Sequence, residues 1–502
     1  MHLNSVLFGL KNSLRKQGEI CFYVPIVLKG SRDFTLGKVL KLFSSGDCGL
    51  QCTTQTLTFS LAGRIIITDK KRRCIATDNI FNSKEYKRSR GAYALQATLE
   101  YLITLMVTDA FLTDILRHLG ISDSMIGIIA TFVSLAMVIQ LGSLSISKTK
   151  VSSKKIVTLF SCVSQALFVF VYVIPFLPLS DTVKKILAIL CILIAYSSMY
   201  IVWPILYRWA YKFVAPQQRA RYSASKEMLS LGLGVAFTLL VGFVIDKCEG
   251  LSNVGAAFVF IAISMAIISV CNMVCLLLMK EEPMTENSVS KKKFSDIMKN
   301  TFGNRGFNVC VFTISLWEFA RFFQLGFMGP FKKDLIVSTF AIQVINMAGL
   351  GARLVLSKPV AKYSDKHGYA KGYELGLVIA AAAFFFNMFS SKTTWFFVVI
   401  YSVLHHLCYV GINSNGFNML YSYVDNEYIS EALAIKNAIA GVVGFAAALV
   451  GGILLDCVQN NGNTVLGINI YGQQLLSAVS FLVTVVVLVF VKTVLAKQKK
   501  VE

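Results

Sequence analysis

The stretch VAPQQRARYSASKEMLSLGLGVAFTLLVGFVID (214–246) aligns without a gap with VDNEYISEALAIKNAIAGVVGFAAALVGGILLD (424–456). The identical pairs include Lys226/Lys436, Gly234/Gly444, Gly242/Gly452 and Asp246/Asp456. Matches of alanine and leucine are common among apolar helices, but a matched lysine, two glycines and a terminal aspartate are harder to obtain by chance. The alignment therefore indicates that one structural unit occurs twice in the chain.

Apolar runs of about 20 residues, the length that crosses a bilayer as a helix, cover the chain from residue 93 onward. They lack the alternation of membrane strands, and a helix satisfies every backbone polar group within lipid. We number them as spans 1 to 12, and the predicted ranges are 93–116, 125–146, 156–179, 184–207, 227–246, 254–279, 308–330, 335–356, 373–390, 395–418, 435–455 and 474–494. The two aligned segments contain spans 5 and 11. The sequence therefore predicts an all-α polytopic membrane protein built from two parallel repeats of six helices.

The composition excludes an ordinary soluble protein. Only 15% of the residues are charged and the mean hydropathy is +0.63, whereas soluble domains carry about 25% charged residues. The net charge of +22 comes from Lys and Arg clustered in the connections between spans, and RNA-binding signatures are absent. We therefore expect the lipid bilayer as a partner and no nucleic acid.

The connections between spans predict the topology. Those after spans 2, 4, 6 and 8 are rich in Lys and Arg, as in SKTKVSSKK (147–155), whereas the odd-numbered ones are short or less basic. Basic connections stay on the cytoplasmic side, so we expect both termini in the cytoplasm and the protein in the cell membrane. The connection after span 10, YSYVDNEYISEALAIK, is acidic and is the exception.

Five segments follow from this pattern. Residues 1–91 contain no run of spanning length and are predicted to form a basic cytoplasmic tail, either poorly ordered or regulatory. The six-helix halves are predicted at 92–280 and 307–494. A polar cytoplasmic linker at 281–306 joins them, and a cytoplasmic tail at 495–502 follows.

The stretch AKYSDKHGYAK (361–371) between spans 8 and 9 is the most specific motif. Together with six plus six helices, parallel halves and a long charged central loop, it resembles the major facilitator superfamily of secondary transporters. That family carries a loop motif G-x-x-x-D-[RK]-x-G-[RK]-[RK] after span 2, often echoed after span 8. This sequence matches it at Asp365, Lys366, Gly368 and Lys371 and departs from it at Ala361, Tyr369 and Ala370.

The resemblance implies a gate. Asp365, Lys366 and Gly368 are expected to latch the cytoplasmic face while the other face is open, with Arg219 and Arg221 on the equivalent first-half loop as candidate partners. The copy after span 2, LSISKTKVSSKK, keeps the lysines but lacks the aspartate and glycine. The antiporter signature in span 5 and the sugar-porter signatures are missing, so the subfamily is not assigned.

Ionisable residues inside spans are functional candidates, because burying a charge in lipid is costly. Span 1 carries Glu100, and span 7 carries Glu318 and Arg321, whose i, i+3 spacing places them on one helix face. One interpretation is that a glutamate carries the coupling proton while Arg321 binds an anion or tunes that glutamate. The other is an internal salt bridge that holds the halves together.

Span 10 adds His405, His406 and Asn413, and span 8 adds Asn346. A histidine that titrates near neutrality suits proton coupling, although a hydrogen-bonded packing histidine is the alternative. Adjacent histidines point about 100° apart, so at most one of them faces a cavity squarely. Asn346 suits interhelical hydrogen bonding.

The sequence thus predicts a monomeric secondary transporter of a small solute, working by alternating access and coupled to protons. The alternatives are a receptor or regulatory protein on the same fold, without transport, and a cation-coupled sugar symporter. Neither a P-loop nor a GxSxG motif is present, and no Cys/His group has metal-ligand spacing. We therefore expect no enzyme activity, metal or cofactor.

Overall fold

The computed structural model describes residues 81, 83–143, 152–215, 218–281, 301–424, 429–465 and 467–495. Most of the predicted tail 1–91, most of the linker 281–306 and all of the C-terminal tail 495–502 except Leu495 lie outside these residues.

Within the described ranges, ten helices are long and apolar enough to cross a membrane, and a shorter apolar helix covers Asp123–Ile139. A further helical segment, Lys84–Met106 and Asp109–His118, occupies the position of span 1. The ten long spans are formed by Ser153–Val173, Asp181–Tyr211, Arg219–Gly250, Val254–Leu278, Arg305–Leu325 together with Met328–Leu335, Thr339–His367, Tyr369–Asn387, Phe396–Tyr421, Ile429–Asn460 and Gly472–Thr493. A two-stranded antiparallel ribbon, Thr464–Val465 and Ile468–Asn469, precedes the last helix.

Spans 1 and 7 are each broken at the same relative place. Span 1 is interrupted between Met106 and Asp109, and span 7 between Leu325 and Met328. In each, a long helix is followed by a short one, which reproduces the repeat seen in the sequence. The predicted continuous helices over 93–116 and 308–330 are therefore wrong in this detail.

Each half packs around its own apolar core. The largest cluster of buried side chains lies within spans 1 to 6 and a second within spans 7 to 12. On the outer surface, apolar residues stay exposed at helical spacing, as in span 6 at Ile263, Ile267, Val270 and Val274. An uncovered apolar face of this kind suits lipid rather than water.

Side chains cap several of the helix ends. Asn304 accepts hydrogen bonds from the backbone N–H groups of Gly306 and Phe307, and Ser338 caps span 8 by accepting from the backbone N–H of Ala341. Such side-chain oxygens satisfy N–H groups that have no partner within the helix.

Span 8 differs from its predicted end at 356, because its helix continues to His367. Asp365 and Lys366 therefore lie in the last helical turn, and span 9 begins at Tyr369. Gly368 alone makes the reversal, with φ 95° and ψ 153°, a backbone conformation that essentially only glycine adopts. The connection is thus one residue long, where the sequence predicted a loop.

Gly368→Ala is expected to destabilise the protein by about 1–3 kcal/mol, because alanine is strained at this φ. A Cβ there would meet no atom within 4 Å, so the effect is one of backbone conformation alone. The matched control is Gly351→Ala, inside span 8 and equally free of contacts; there alanine is expected to stabilise by about 0.5–1 kcal/mol. Midpoints of thermal unfolding in detergent should move in opposite directions, and equal shifts would contradict this account of the turn.

Candidate functional site

The helix bundle has two ends. We call proximal the end at which the first helix begins at Lys84 and the last finishes at Thr493, and distal the opposite end. The described helix ends on either side of the even-numbered connections lie at the proximal end. The polar contacts between the two halves described below lie at the distal end.

The first contact joins Asp109, at the break in span 1, to Lys332 in the short helix of span 7. The Lys332 Nζ lies 3.0 Å from Asp109 Oδ2 and 3.2 Å from Oδ1. Asn346 of span 8 completes the triangle, donating to Asp109 Oδ2 at 2.8 Å and accepting from Lys332 at 3.2 Å. A buried ion pair is stable only when its remaining polar groups are also satisfied, as they are here.

The next residue, Lys333, makes a second cross-half cluster. Its Nζ lies 3.0 Å from Asp114 Oδ1 and 3.3 Å from Glu249 Oε1. It also donates to Thr339 Oγ1 at 2.8 Å, and that hydroxyl donates to Asp114 Oδ2 at 3.0 Å. Two acids of the first half therefore hold one lysine of the second.

Asp334 makes the third contact, with the charges reversed. Arg117 binds Asp123 in its own half through two hydrogen bonds, at 2.9 and 2.8 Å. The same guanidinium donates to Asp334 across the halves at 2.9 Å. Two acids and a base of span 1 thus pair, in chain order, with two bases and an acid of span 7. The pairs are Asp109–Lys332, Asp114–Lys333 and Arg117–Asp334.

Asp246, the last matched residue of the sequence repeat, makes a further contact between the halves at the distal end. Its carboxylate accepts hydrogen bonds from Ser338 Oγ at 2.6 Å and from the backbone N–H groups of Thr339 and Phe340 at 2.8 and 3.2 Å. A carboxylate at a helix N-terminus is stabilised by the free N–H groups and the helix dipole. We define the distal latch as Asp109, Asp114, Arg117, Asp246, Glu249, Lys332, Lys333, Asp334, Thr339 and Asn346.

Glycines allow the halves to approach closely beside the latch. A Cβ on Gly326 would collide with the backbone oxygen of Gly127 in the other half, and one on Gly127 would collide with the ring of Phe327. Small residues permit such close helix contacts in membranes.

A cavity of about 360 Å³ lies between the halves, beneath the latch. Its volume falls within the range of small-molecule sites. Spans 1, 2, 7, 8 and 10 contribute its wall, and Asp109, Lys332 and Asn346 form part of it. The latch therefore separates the cavity from the distal surface.

Arg321 lines the cavity, and Glu318 does not. The structure forms the i, i+3 pair that the spacing predicted, with Arg321 Nη1 2.9 Å from Glu318 Oε2. The guanidinium lies over the rings of Phe322 and Tyr409, 4.7 and 5.2 Å from their centroids. Its Nε is buried and has no hydrogen-bond partner among the described residues.

Both histidines of span 10 reach the cavity wall. His405 Nε2 lies 2.8 Å from the Tyr409 hydroxyl oxygen, whereas His405 Nδ1 is buried without a partner in the part of the chain that the structure describes. His406 Nδ1 lies 2.7 Å from the backbone oxygen of Ser402. Asn413 is exposed and is not part of the cavity wall.

Glu100 lies apart from this cavity, within the first half. It accepts a hydrogen bond from Gln96 Nε2 at 2.5 Å. It borders a separate space of about 10 Å³ with Ser161, Ser164 and Gln165, large enough for about one water molecule.

The residues of the expected cytoplasmic gate lie at the proximal end. Asp365 and Lys366 are exposed, and so are Arg219 and Arg221. Arg219 donates to the backbone oxygen of Tyr211 in its own half. The structure does not bring these gate residues together, and the gate stays a prediction for a state in which the proximal end is closed.

The distal latch is the part of the site that sequence reasoning missed. In the sequence, Asp109, Asp114 and Asp246 resemble boundary markers at span ends. The available signal is the reversed order of charges in the two series. The pairing becomes visible only when the fold brings spans 1 and 7 together.

The sequence model of the Major Facilitator Superfamily matches residues 94–362 of this chain. No curated protein matches the sequence.

Among solved structures, the chain is similar to a point mutant of the nucleoside transporter NupG, at 12% identity and a TM-score of 0.63, covering 80% of this chain and 99% of that one. It is also similar to a bacterial homologue of the human lysosomal transporter Spinster in an inward-facing, unoccupied conformation, at 15% identity and a TM-score of 0.62, covering 82% and 97%. The D-xylose-proton symporter gives 13% identity and a TM-score of 0.62, covering 80% and 97%. These likenesses establish the fold, and the family model covers more than half of the sequence. The chain is a multi-pass membrane protein that belongs to the Major Facilitator Superfamily.

Proposed function

We propose that this protein is a secondary active transporter that moves a small solute by alternating access, driven by a proton gradient. The observation that carries the proposal is the cavity between the halves, closed at the distal end by charge pairs that must separate if that end is to open. Family membership supports membrane transport, and the latch supplies the contacts that would break in a second, distal-open arrangement. We further propose that the proximal end faces the cytoplasm, as the basic connections indicate.

Glu318 is the better candidate for the coupling carboxylate. Its partner Arg321 lines the cavity, so a proton on Glu318 changes the charge state of the solute site directly. Glu100 borders a small separate space and contacts the cavity through no described hydrogen bond. We therefore assign the coupling role to Glu318 and a packing role to Glu100.

Glu318→Gln is expected to abolish proton-coupled flux, while Glu100→Gln retains it within about threefold. Glutamine keeps the shape and a hydrogen-bond acceptor but cannot take up a proton. The full chain is reconstituted into liposomes containing a pH-sensitive dye. Sugars, nucleosides, amino acids and carboxylates are added in turn, and each variant is compared on any solute that changes the internal pH of wild-type vesicles.

Three outcomes would overturn parts of the proposal. Flux that follows a sodium gradient instead of a pH gradient would favour the cation-coupled alternative. If Glu100→Gln abolished proton-coupled flux and Glu318→Gln retained it, the coupling role would belong to Glu100. Binding of a solute without flux would favour a receptor, and a chain beginning near Asn79 would then show whether the preceding residues carry that role.

A further inference from the structure

We propose that the cavity binds an organic anion with a planar ring, whose carboxylate is held by Arg321 after a proton on Glu318 has released that guanidinium. The inference rests on the proposed transport function and names its solute class. It follows from the unused donors, the aromatic wall and the charge pairing around the cavity.

Four buried polar atoms of the cavity residues are unpartnered within the described part of the chain; all four can donate a hydrogen bond, and the guanidinium and amide nitrogens among them can only donate. Arg321 Nε, Gln343 Nε2 and the Tyr401 hydroxyl are buried without partners among the described residues, as is His405 Nδ1. Buried polar groups are normally satisfied, so a cluster of exceptions points to a missing partner. A partner for donors must be rich in acceptors.

The Asp109 carboxylate in the cavity wall already has hydrogen-bond partners within the protein. Both oxygens of Asp109 contact Lys332, and Oδ2 also accepts from Asn346. The Lys332 ammonium group donates to the same two residues. Within the described ranges Arg321 has one ion pair, to Glu318, although a guanidinium carries five N–H donors. The cation with spare donors is therefore Arg321.

Aromatic rings share the cavity wall with this arginine. Tyr401, Tyr409, Phe322 and Tyr101 line the cavity. Ring contacts continue along span 10, where the centroid of His405 lies 5.2 Å from that of Tyr401, which is stacked on it, and 5.2 Å from that of Tyr409, which meets it edge-on. Offset and edge-on contacts with such rings favour a flat solute. A carboxylate on a planar ring satisfies both the donors and the aromatic wall.

Protonation of Glu318 affects solute binding because Glu318 and the solute carboxylate compete for the Arg321 guanidinium. With Glu318 ionised, its carboxylate holds Nη1; with Glu318 protonated, the pair loses its charge attraction and the guanidinium can form a bidentate pair with the solute. The groups that face Glu318 from neighbouring spans are Tyr373, Cys408, Tyr409 and Lys436. Binding of the anion and of the proton should therefore reinforce each other.

Binding is tested on the full-length protein in detergent, without any transport step. Saturation-transfer NMR compares benzoate, benzamide and benzylamine, which share a ring and differ in charge, with cyclohexanecarboxylate as the non-aromatic anion. We expect benzoate to bind at least about tenfold more tightly than the other three. Equal binding of benzamide or benzylamine would overturn the assignment of an anion, and equal binding of cyclohexanecarboxylate would overturn that of a planar ring.

Variants locate the site. Arg321→Gln is expected to weaken benzoate binding at least about tenfold, and Arg321→Lys to weaken it less, because lysine keeps the charge but loses the bidentate geometry. Arg353→Gln is the matched control, since Arg353 approaches the same Tyr409 ring at 5.9 Å but does not line the cavity. Loss of binding in Arg353→Gln with none in Arg321→Gln would overturn the site.

The pH dependence separates this inference from the proposed function. In the wild type, benzoate binding should strengthen as the pH falls, because protonation of Glu318 frees Arg321. In Glu318→Gln, binding should stay tight and lose that dependence. A Glu318→Gln variant that binds no benzoate at any pH would overturn the competition. Failure of proton flux, with this binding pattern intact, would count against the proposed transport alone.

Discussion

Lys332→Asp is expected to reduce transport at least about 100-fold. The change places a second carboxylate beside Asp109 in a buried site, where the latch now has an ion pair at 3.0 Å. Breaking a buried pair leaves an uncompensated charge and costs about 3–5 kcal/mol, and that cost falls on the distal-closed state. The measurement is the initial rate of solute-driven proton flux in proteoliposomes.

The double variant Asp109→Lys with Lys332→Asp is the decisive companion, because it restores the opposite charges in exchanged positions. We expect it to recover at least about a tenth of the wild-type rate, since coupled residues do not act additively. Lys492→Asp is the control: Lys492 pairs with Glu374 at 3.3 Å at the proximal end and its side chain is 58% exposed, and exposed pairs contribute about 0–1 kcal/mol. If the double variant is as inactive as Lys332→Asp alone, the pair has no role as a latch.

Gly326→Leu is expected to have an effect of similar size for a steric reason. A side chain at this position would meet the backbone oxygen of Gly127 in the opposite half, and a backbone atom cannot rotate away. The variant should fold, because the collision is between halves, but it should be unable to close the distal end. We expect loss of transport of at least about 100-fold with little change in the midpoint of thermal unfolding.

Gly376→Ala provides the contrast within one half. Its Cβ would approach Ile412 and the backbone oxygen of Cys408 at 2.8 and 2.9 Å, both in the second half. This change should lower the unfolding midpoint, because the strain is present in every state of the transporter. Were Gly326→Leu to lower the midpoint as much as Gly376→Ala does, the distal glycine contact would be part of the fold and not of the gate.

The fold could be predicted well because a membrane imposes a strong pattern on the sequence. Apolar length identified the spans, and the matched Lys226/Lys436 and Asp246/Asp456 pairs revealed the repeat. The Glu318–Arg321 pair was also predictable, since its i, i+3 spacing is local to one helix. Local patterns of this kind can be predicted without knowing which helices are in contact.

The distal latch was not predictable in the same way. Asp109 and Lys332 are far apart in the chain, and each resembles an ordinary charge at the end of a span. The breaks at 107–108 and 326–327 were equally hidden, because the apolar runs continue through them. The predicted end of span 8 was too early because charged residues do not stop a helix outside the apolar part of the bilayer, and Gly368 alone provides the reversal.

Distances across the two ends of the bundle test the account most directly. Spin-labelled unnatural residues at Leu251 and Lys392 report on the distal end, and those at Arg208 and Lys362 on the proximal end; all four positions are exposed. In wild type, pulsed electron resonance should give a short distal and a long proximal distance. In Lys332→Asp, a longer distal and a shorter proximal population should appear together, and the Asp109→Lys, Lys332→Asp double variant should return to the wild-type pattern. Distances that stay unchanged, or that lengthen at both ends, would contradict alternating access through the distal latch.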